Sequence, residues 1–260
     1  MKNSMRYILT VLFLALLTLE VESQNEKDSV LDYEISTTFQ SRYVWRGLDL
    51  GGPSPSLQPA MAISWKGFSL GCWGALSFAK ESNQEVDLYL SYTFFKELFT
   101  VIISDYFAAP YNDFSYFNYH NNTTLHVFEA GLSYNGFEKV PVKASLYVNF
   151  FGADAKNSEG RNLFSSYAEI AYCPVIKRIG VELNLFAGAA LNGQHYIDFD
   201  LGQRVLGFYG NKGFAVVNVG LSATKELVIK DKLSIPISTA LIVNPNARQV
   251  FLVGSIGFIL

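Results

Sequence analysis

A hydrophobic repeat with a period of two residues runs along most of this 260-residue chain. Between 179 and 191, apolar residues occupy every second position, while Glu182 and Asn184 fall between them. Such alternation is typical of a β-strand with one apolar and one polar face. After residue 23, no stretch longer than about ten residues follows the 3.6-residue period of a helix. The chain is therefore predicted to be all-β.

Twelve segments carry this alternation, and each is close to the length of about 9–11 residues that a tilted strand needs to cross a bilayer. The last segment keeps the pattern up to Leu260, so it can pair with the first and leave no open sheet edge. The predicted strands are 31–45, 56–66, 67–79, 85–95, 98–109, 123–135, 141–151, 163–173, 179–191, 213–224, 233–244 and 248–260.

The connections between these segments alternate in length. Long loops at one end and short turns at the other are typical of outer-membrane barrels, whereas a soluble sandwich gives no reason to sort its loops. We therefore expect a transmembrane antiparallel up-and-down β-barrel of about 12 strands. The long connections are 46–55, 109–122, 152–162 and 192–212, and the short ones include 66–67, 96–97, 136–140 and 174–178.

Aromatic residues gather near the predicted strand ends, where the interfacial girdles of a membrane barrel lie. They are Tyr43, Trp45, Trp65, Phe68, Tyr92, Phe94, Phe99, Phe107, Tyr134, Phe150 and Tyr172.

The composition excludes several other classes of protein. Half of the residues are hydrophobic and the net charge is only −3, which excludes a disordered chain. Lys and Arg are not in excess, so nucleic acid is not an expected partner. Two cysteines are too few for a disulfide-dense scaffold or a structural zinc site.

The N-terminus has the pattern of a secretory signal peptide. Lys2 and Arg6 precede an apolar stretch from Tyr7 to Leu19, and Val21 and Ser23 are small residues before a plausible cleavage site. The apolar stretch is shorter than the roughly 20 residues of a membrane-spanning helix. We expect residues 1–23 to be removed and residues 24–260 to form a barrel in the bacterial outer membrane.

Three stretches resemble a known family. They are the segments 41–47 (S-R-Y-V-W-R-G), 67–74 (G-F-S-L-G-C-W-G) and 85–92 (E-V-D-L-Y-L-S-Y). In this order and spacing they are similar to the Gcw_chp family of bacterial outer-membrane proteins, named for its Gly-Cys-Trp motif. Residues 128–134 resemble the family's later Glu-containing strand. The resemblance covers roughly residues 36–135; it implies an outer-membrane barrel and no particular reaction.

Catalytic and metal sites have weak sequence support. The string around Ser69 matches a G-x-S-x-G nucleophile elbow, but that motif needs a following helix, and here a strand follows. His126 falls on the lipid-facing phase of its strand. His195, Asp198 and Asp200 lie in one long loop, where solvated side chains are the ordinary interpretation and an acid–base or metal cluster is the alternative. We predict no catalytic residue, metal or cofactor.

A second loop and the cysteines are also ambiguous. Rings in the loop 109–122 either contact a sugar or base, cap the pore, or, as we favour, pack on one another; they are Tyr111, Phe114, Tyr116, Phe117 and Tyr119. Cys72 is predicted to face lipid, and Cys173 to lie near the periplasmic end of a strand that is not its neighbour, so no disulfide is expected.

The polar faces of the strands predict the lumen. Acids outnumber bases there, with Lys66 counted among the bases, and Glu169 and Glu182 are expected to lie opposite one another across a short turn. We interpret this lumen as a narrow channel for small polar or cationic solutes. The alternative is a closed structural or surface-interaction barrel, and an outer-membrane enzyme is least favoured. The predicted pore-lining residues are Glu34, Arg42, Trp73, Asp87, Tyr89, Glu129, Lys143, Glu169, Glu182 and Asn184.

Overall fold

The computed structural model describes residues 31–79, 84–110, 113–198, 203–230 and 232–260, so the predicted signal peptide lies outside the described residues. The strands are β1 (Asp32–Gln40), β2 (Val44–Trp45), β3 (Leu48–Asp49), β4 (Ser56–Trp65), β5 (Phe68–Ser77), β6 (Gln84–Phe94), β7 (Phe99–Ala109), β8 (His126–Tyr134), β9 (Val142–Gly152), β10 (Ser166–Tyr172), β11 (Val175–Ile176), β12 (Val181–Ala190), β13 (His195–Asp198), β14 (Gln203–Leu206), β15 (Ala215–Ile229), β16 (Leu233–Asn244) and β17 (Gln249–Ile259).

Twelve of these strands form one closed antiparallel barrel, which confirms the predicted fold class. Each barrel strand pairs with its neighbours in the chain, and β1 pairs with β17 to close the ring. Closure leaves no open edge, so the backbone hydrogen-bonding groups of the wall are satisfied by adjacent strands. Among the described residues, no helix is long and apolar enough to cross a membrane.

The long loops lie at one end of the barrel and short turns lie at the other, as the sequence predicts. We call the side that carries the connections β1–β4, β7–β8, β9–β10 and β12–β15 the long-loop end, and the opposite side the short-turn end. The turn between β4 and β5 consists of Lys66 and Gly67, both with positive φ, as a two-residue turn with the twist of a β-hairpin requires. Both ends of the described chain, near Asp32 and Ile259, lie at the short-turn end.

The outer face of the barrel is apolar. Leu70 and Leu252, for example, are 61% and 76% exposed. A monomeric soluble protein rarely exposes a continuous apolar surface of this extent, whereas a barrel that crosses a bilayer requires it. Other exposed apolar residues of the wall are Tyr33, Ile35, Met61, Ile63, Leu88, Leu90, Ile103, Leu132, Leu146, Ile170, Leu185, Leu221, Ile237 and Leu241.

The predicted first strand is too long. β1 ends at Gln40, and the backbone N–H of Ser41 donates to the carbonyl oxygen of Gly254 (2.8 Å) before the chain leaves the wall. Tyr43 is therefore buried at 8% exposure, and Trp45 packs against rings inside the barrel. Assigning these two residues to an interfacial girdle was wrong, because the alternation continues past the point at which the chain turns inward.

Substitutions on neighbouring residues of β12 test which face meets lipid. Leu185 is exposed on the outer face, while Asn184 lines the interior. Leu185→Arg should cost about 2–4 kcal/mol of unfolding free energy in lipid vesicles, because a charge near the midplane loses its hydration. Asn184→Arg should cost much less, and equal losses for the two variants would contradict the assigned phase.

Labelling tests the two ends of the barrel. Ser158 lies in the exposed β9–β10 loop and Lys139 in the exposed β8–β9 turn. In a background without Cys72 and Cys173, Ser158→Cys should react with a membrane-impermeant maleimide on intact cells, while Lys139→Cys should react only after the outer membrane is opened. Equal labelling of both variants on intact cells would overturn this orientation.

Candidate functional site: a plugged lumen

The hairpin β2–β3 enters the barrel from the long-loop end. Its turn consists of Arg46 and Gly47, with φ of 48° and 77°, the combination of a type I′ turn. A Cβ atom on Gly47 would lie 1.9 Å from the carbonyl oxygen of Val217 in β15, so only glycine allows this approach to the wall. Asn244 of β16 donates its Nδ2 hydrogen to the Gly47 carbonyl (3.0 Å). The wall therefore fixes the tip of the hairpin.

Arg46 forms a bidentate ion pair with Glu129 in the lumen. Its Nη1 and Nη2 donate to Oε2 and Oε1 at 2.5 and 2.9 Å, and the two side chains are only 9% and 2% exposed. Nη1 also donates to the Tyr209 hydroxyl (3.0 Å), and the Tyr106 hydroxyl donates to Glu129 Oε1 (2.9 Å). Because both charges are desolvated, these further partners are what makes the pair tolerable in the interior.

Aromatic rings enclose the Arg46 guanidinium. Its Cζ lies 4.3, 4.0 and 4.7 Å from the ring centroids of Trp45, Tyr147 and Tyr167, within the range of cation–π attraction. Tyr209 stacks on both Trp45 and Tyr167, with centroids 6.2 and 5.4 Å apart. We call Trp45, Arg46, Glu129, Tyr147, Tyr167 and Tyr209 the plug, since together they occupy the lumen.

The β12–β15 connection at the long-loop end supplies Tyr209 to the plug. Its Asn211 is fully buried and donates from Nδ2 to the carbonyl oxygens of Asn192 (2.8 Å) and Gly213 (2.5 Å). The Gly207 N–H donates to the Asn211 carbonyl (2.8 Å), which closes the turn that carries Tyr209. Burial raises the pKa of the Tyr209 phenol to about 12, so the ring stays neutral beside the ion pair at neutral pH.

Tyr43, which precedes the β2–β3 hairpin in the chain, is held inside the barrel by separate contacts. Its ring packs against Trp73 at a centroid distance of 5.3 Å, and its hydroxyl is hydrogen-bonded to Glu85. Glu85 and Asp87, both on β6, are themselves buried, and Asp87 Oδ1 accepts from the Phe107 N–H (3.3 Å). Burial, with these two acids nearby, raises the pKa of the Tyr43 phenol. Two acids of the lumen, of which Asp87 was predicted to line the pore, thus lie beside Tyr43.

A polar cavity of about 340 Å³ lies between the plug and the short-turn end. Tyr147 of the plug lines this cavity, and so does Glu169. The Glu169 carboxylate accepts from Tyr167 of the plug and from Asn218 Nδ2 (2.9 Å). Cys173 is a free thiol here and lies 3.4 Å from Asn184 Oδ1. Further lining residues are Ser133, Tyr134, Asn135, Lys143, Ala144, Ser145, Ala171, Glu182, Asn184, Ser222 and Thr224.

The predicted pore-lining residues fall into four groups. Glu129 belongs to the plug, and the cavity contains Lys143, Glu169, Glu182 and Asn184. At the long-loop side, Trp73 and Asp87 lie beside Tyr43, and Arg42 pairs with Asp49 (3.1 Å) at the base of the hairpin. Glu34 and Tyr89 occupy inward positions of β1 and β6, outside both the plug and the cavity.

Two predictions about lumen charges were wrong. Glu169 is opposite Gly188 and Glu182 is opposite Val175, so the two acids are offset by six residues of β12, or about 20 Å. The short strand β11 lengthens the connection between β10 and β12, and this shifts the register. Lys66 does not line the lumen; its Nζ lies 4.9 Å from the ring centroid of Trp65, which is exposed on the outer face.

Arg46 and Tyr209 are the functional residues that sequence reasoning missed. Both lie in predicted long connections, 46–55 and 192–212. A signal was present for the first: Arg46-Gly47 ends the motif at 41–47, and such a pair is suited to a tight turn within a hairpin. Its partner Glu129 is 83 residues away in the chain, which local patterns do not reveal.

Ser69, His126 and His195 were among the residues considered for a catalytic or metal site. Ser69 lies within β5, and its hydroxyl is 3.1 Å from that of Ser64. His126 points outward as predicted, but its Nδ1 is 2.7 Å from Asp105 Oδ1 and its Nε2 is 2.5 Å from the Tyr116 carbonyl oxygen. His195 lies on β13. The described residues contain no group of three or more ligands that would hold a metal ion, and Asp200 lies outside them.

The aromatic loop between β7 and β8 packs on the outer wall. Tyr116 and Tyr119 lie 4.9 and 4.4 Å from the His126 ring, and Phe117 contacts Tyr116. Tyr116 and Phe117 thus pack on one another as expected, whereas Tyr119 packs on the wall residues His126 and Phe128. This arrangement differs from a cap over the pore. Tyr111, which was grouped with them, lies outside the described residues.

Comparisons with solved structures return outer-membrane proteins. An outer-membrane channel from Pseudomonas putida F1 is similar with a TM-score of 0.44 and 10% identity, covering 92% of this chain and 99% of that one. The NanC porin is similar with a TM-score of 0.45 and 10% identity, covering 88% of this chain and 98% of that one. No family model and no curated protein matches the sequence.

A double-mutant cycle tests whether the plug depends on its ion pair. Arg46→Met should lower the unfolding free energy by about 3–5 kcal/mol, because it leaves the Glu129 charge buried and unpaired. Adding Glu129→Gln should restore most of that loss. Urea unfolding of the vesicle-inserted barrel measures the unfolding free energies of Arg46→Met, Glu129→Gln and the double variant. If the loss in the double variant equals the sum of the losses in the two single variants, the coupling is contradicted.

The exposed pair Arg161–Glu159 provides the matched control. Its side chains are 73% and 65% exposed in the β9–β10 loop. Surface pairs typically couple by about 0–1 kcal/mol, so Arg161→Met and Glu159→Gln should show little interaction.

Proposed function

We propose that this protein is a bacterial outer-membrane barrel that forms a narrow channel for small polar or cationic solutes and that the plug closes it. The observation that carries the proposal is the polar cavity, which runs from the short-turn end to Tyr147, the plug ring that contacts Arg46. Such a lumen needs either water or a polar filling, because inward side chains of this kind are costly in a dry interior. Opening requires displacement of the β2–β3 hairpin from the lumen.

The charges of the cavity favour cations over anions. Glu129 is neutralised by Arg46, and Glu85 and Asp87 lie beneath Tyr43. The cavity itself contains Glu169, Glu182 and Lys143, that is, two acids and one base. In a pore narrower than the Debye length of about 8 Å at physiological salt, this excess is poorly screened.

The plug also supports the alternative of a closed structural or surface-interaction barrel. Arg46 donates three hydrogen bonds and touches three rings, so this arrangement is not a loosely seated loop. In that case the long loops would meet a partner at the cell surface. Outer-membrane lipid is the expected surrounding in either case.

We also propose membership of the Gcw_chp family. The segment 41–47, which carries part of the resemblance, contributes Trp45 and Arg46 to the plug, and Gly47 completes the turn of the hairpin that carries them. This gives the motif a physical role inside a barrel. The resemblance itself rests on the sequence.

Single-channel recording distinguishes a channel from a closed barrel. Wild-type protein in planar bilayers should show rare, small openings, because the β2–β3 hairpin must leave the lumen. Arg46→Ala with Glu129→Ala should raise the open probability at least severalfold. Arg161→Ala with Glu159→Ala is the control and should behave like wild type. Absence of conductance in all three proteins would favour the closed barrel and contradict the channel.

Reversal potentials test the selectivity. In the Arg46→Ala, Glu129→Ala background, a salt gradient should reveal a preference for cations. Adding Glu169→Gln and Glu182→Gln should weaken it, because the neutral amides retain the shape of the cavity. An anion-selective pore, or one whose selectivity both substitutions leave unchanged, would remove these acids from the conducting path.

A further inference from the structure

The cavity presents charges of both signs to one space. Lys143 on β9 is opposite Ala171, and Glu169 on β10 is opposite Ser145, so the two charged residues are diagonal neighbours on the same face. Diagonal positions in an antiparallel pair are about 7–8 Å apart. Glu182 contributes a second carboxylate to the same cavity.

These charges do not neutralise one another directly. Among the ion pairs within the described ranges, none joins Lys143 to Glu169 or Glu182. Glu169 is held toward the plug, where Tyr167 and Asn218 donate to its Oε2. Lys143 is exposed and lies nearer the short-turn end. The ammonium group and the positioned carboxylate therefore face the cavity from separate places.

The rest of the lining is neutral and polar. Hydroxyl and amide groups come from Ser133, Ser145, Ser222, Thr224 and Asn184, and they can serve as hydrogen-bond donors or acceptors. The volume of about 340 Å³ is at the lower end of small-molecule sites, which span about 300–1,000 Å³. The cavity therefore suits a small, highly polar solute.

We propose that this cavity is a binding site for zwitterionic solutes of amino-acid size. Lys143 binds the carboxylate of the solute, and Glu169 binds its ammonium group through the side of the carboxylate that faces the cavity. A lone cation at Glu169 would lie near the Lys143 ammonium group, and a lone anion at Lys143 would lie near the Glu169 carboxylate, so a molecule that carries both charges satisfies the site better than either. As the description of a transported solute, this inference rests on the proposed channel; as a binding site, it does not require conduction.

Equilibrium binding of three related probes tests the proposal. L-glutamine carries both charges, L-glutaminamide only the positive one, and N-acetyl-L-glutamine only the negative one. In NMR titrations of the full-length mature barrel in micelles, L-glutamine should bind at least fivefold more tightly than either analogue. Equal or tighter binding of an analogue, or no binding of any probe, would overturn the proposal.

Two substitutions assign the charges. Lys143→Gln should abolish the preference for L-glutamine over L-glutaminamide, since the carboxylate loses its partner. Glu169→Gln should abolish the preference over N-acetyl-L-glutamine, and Lys139→Gln in the exposed β8–β9 turn should change neither. Unchanged preferences in both cavity variants, with the barrel still folded by its characteristic gel mobility, would remove these residues from the site.

The binding and conductance results are separable. Selective binding of L-glutamine to a barrel that never conducts would contradict the channel and leave the site in place. Conduction without a preference for the zwitterion would retain the channel and refute the site.

Discussion

Two opposite charges, Arg46 and Glu129, meet inside the barrel, and the interior is organised around their contact. Desolvating a guanidinium and a carboxylate is costly, and only good geometry with further hydrogen bonds offsets that cost. Here the offset needs Tyr106 from the wall, Tyr209 from the β12–β15 connection and the rings around the guanidinium. The contact thus joins two long loops and the wall into one unit.

The wall and the plug together determine where the polar side chains of the barrel lie. Strands with a period of two residues place apolar side chains toward lipid and leave polar ones inside. On the long-loop side, the inserted hairpin covers Glu85 and Asp87 through Tyr43 and neutralises Glu129 through Arg46. On the short-turn side, Lys143, Glu169 and Glu182 remain in a cavity. One barrel therefore has a filled half and a half that contains a polar cavity.

The wall could be predicted from sequence because its pattern is local. All twelve segments correspond to barrel strands, and most bounds agree within two or three residues. The plug could not be predicted, because alternation continues through Trp45 although the chain leaves the wall at Ser41, and Tyr209 is 163 residues from Arg46. The register of Glu169 and Glu182 failed for a related reason: it depends on β11, two residues long, in a connection interpreted as a plain turn.

Arginine side-chain NMR of the folded, ¹⁵N-labelled barrel tests the central claim most directly, because it observes the guanidinium that holds the plug. A guanidinium that is bonded on both Nη atoms and shielded by rings should give resolved, slowly exchanging Nη–H signals, unlike those of the exposed Arg161. These signals should collapse to the fast-exchanging average in Glu129→Gln. Fast exchange for every arginine in the wild-type protein, or protected signals unaffected by Glu129→Gln, would contradict a lumen closed by the Arg46–Glu129 pair.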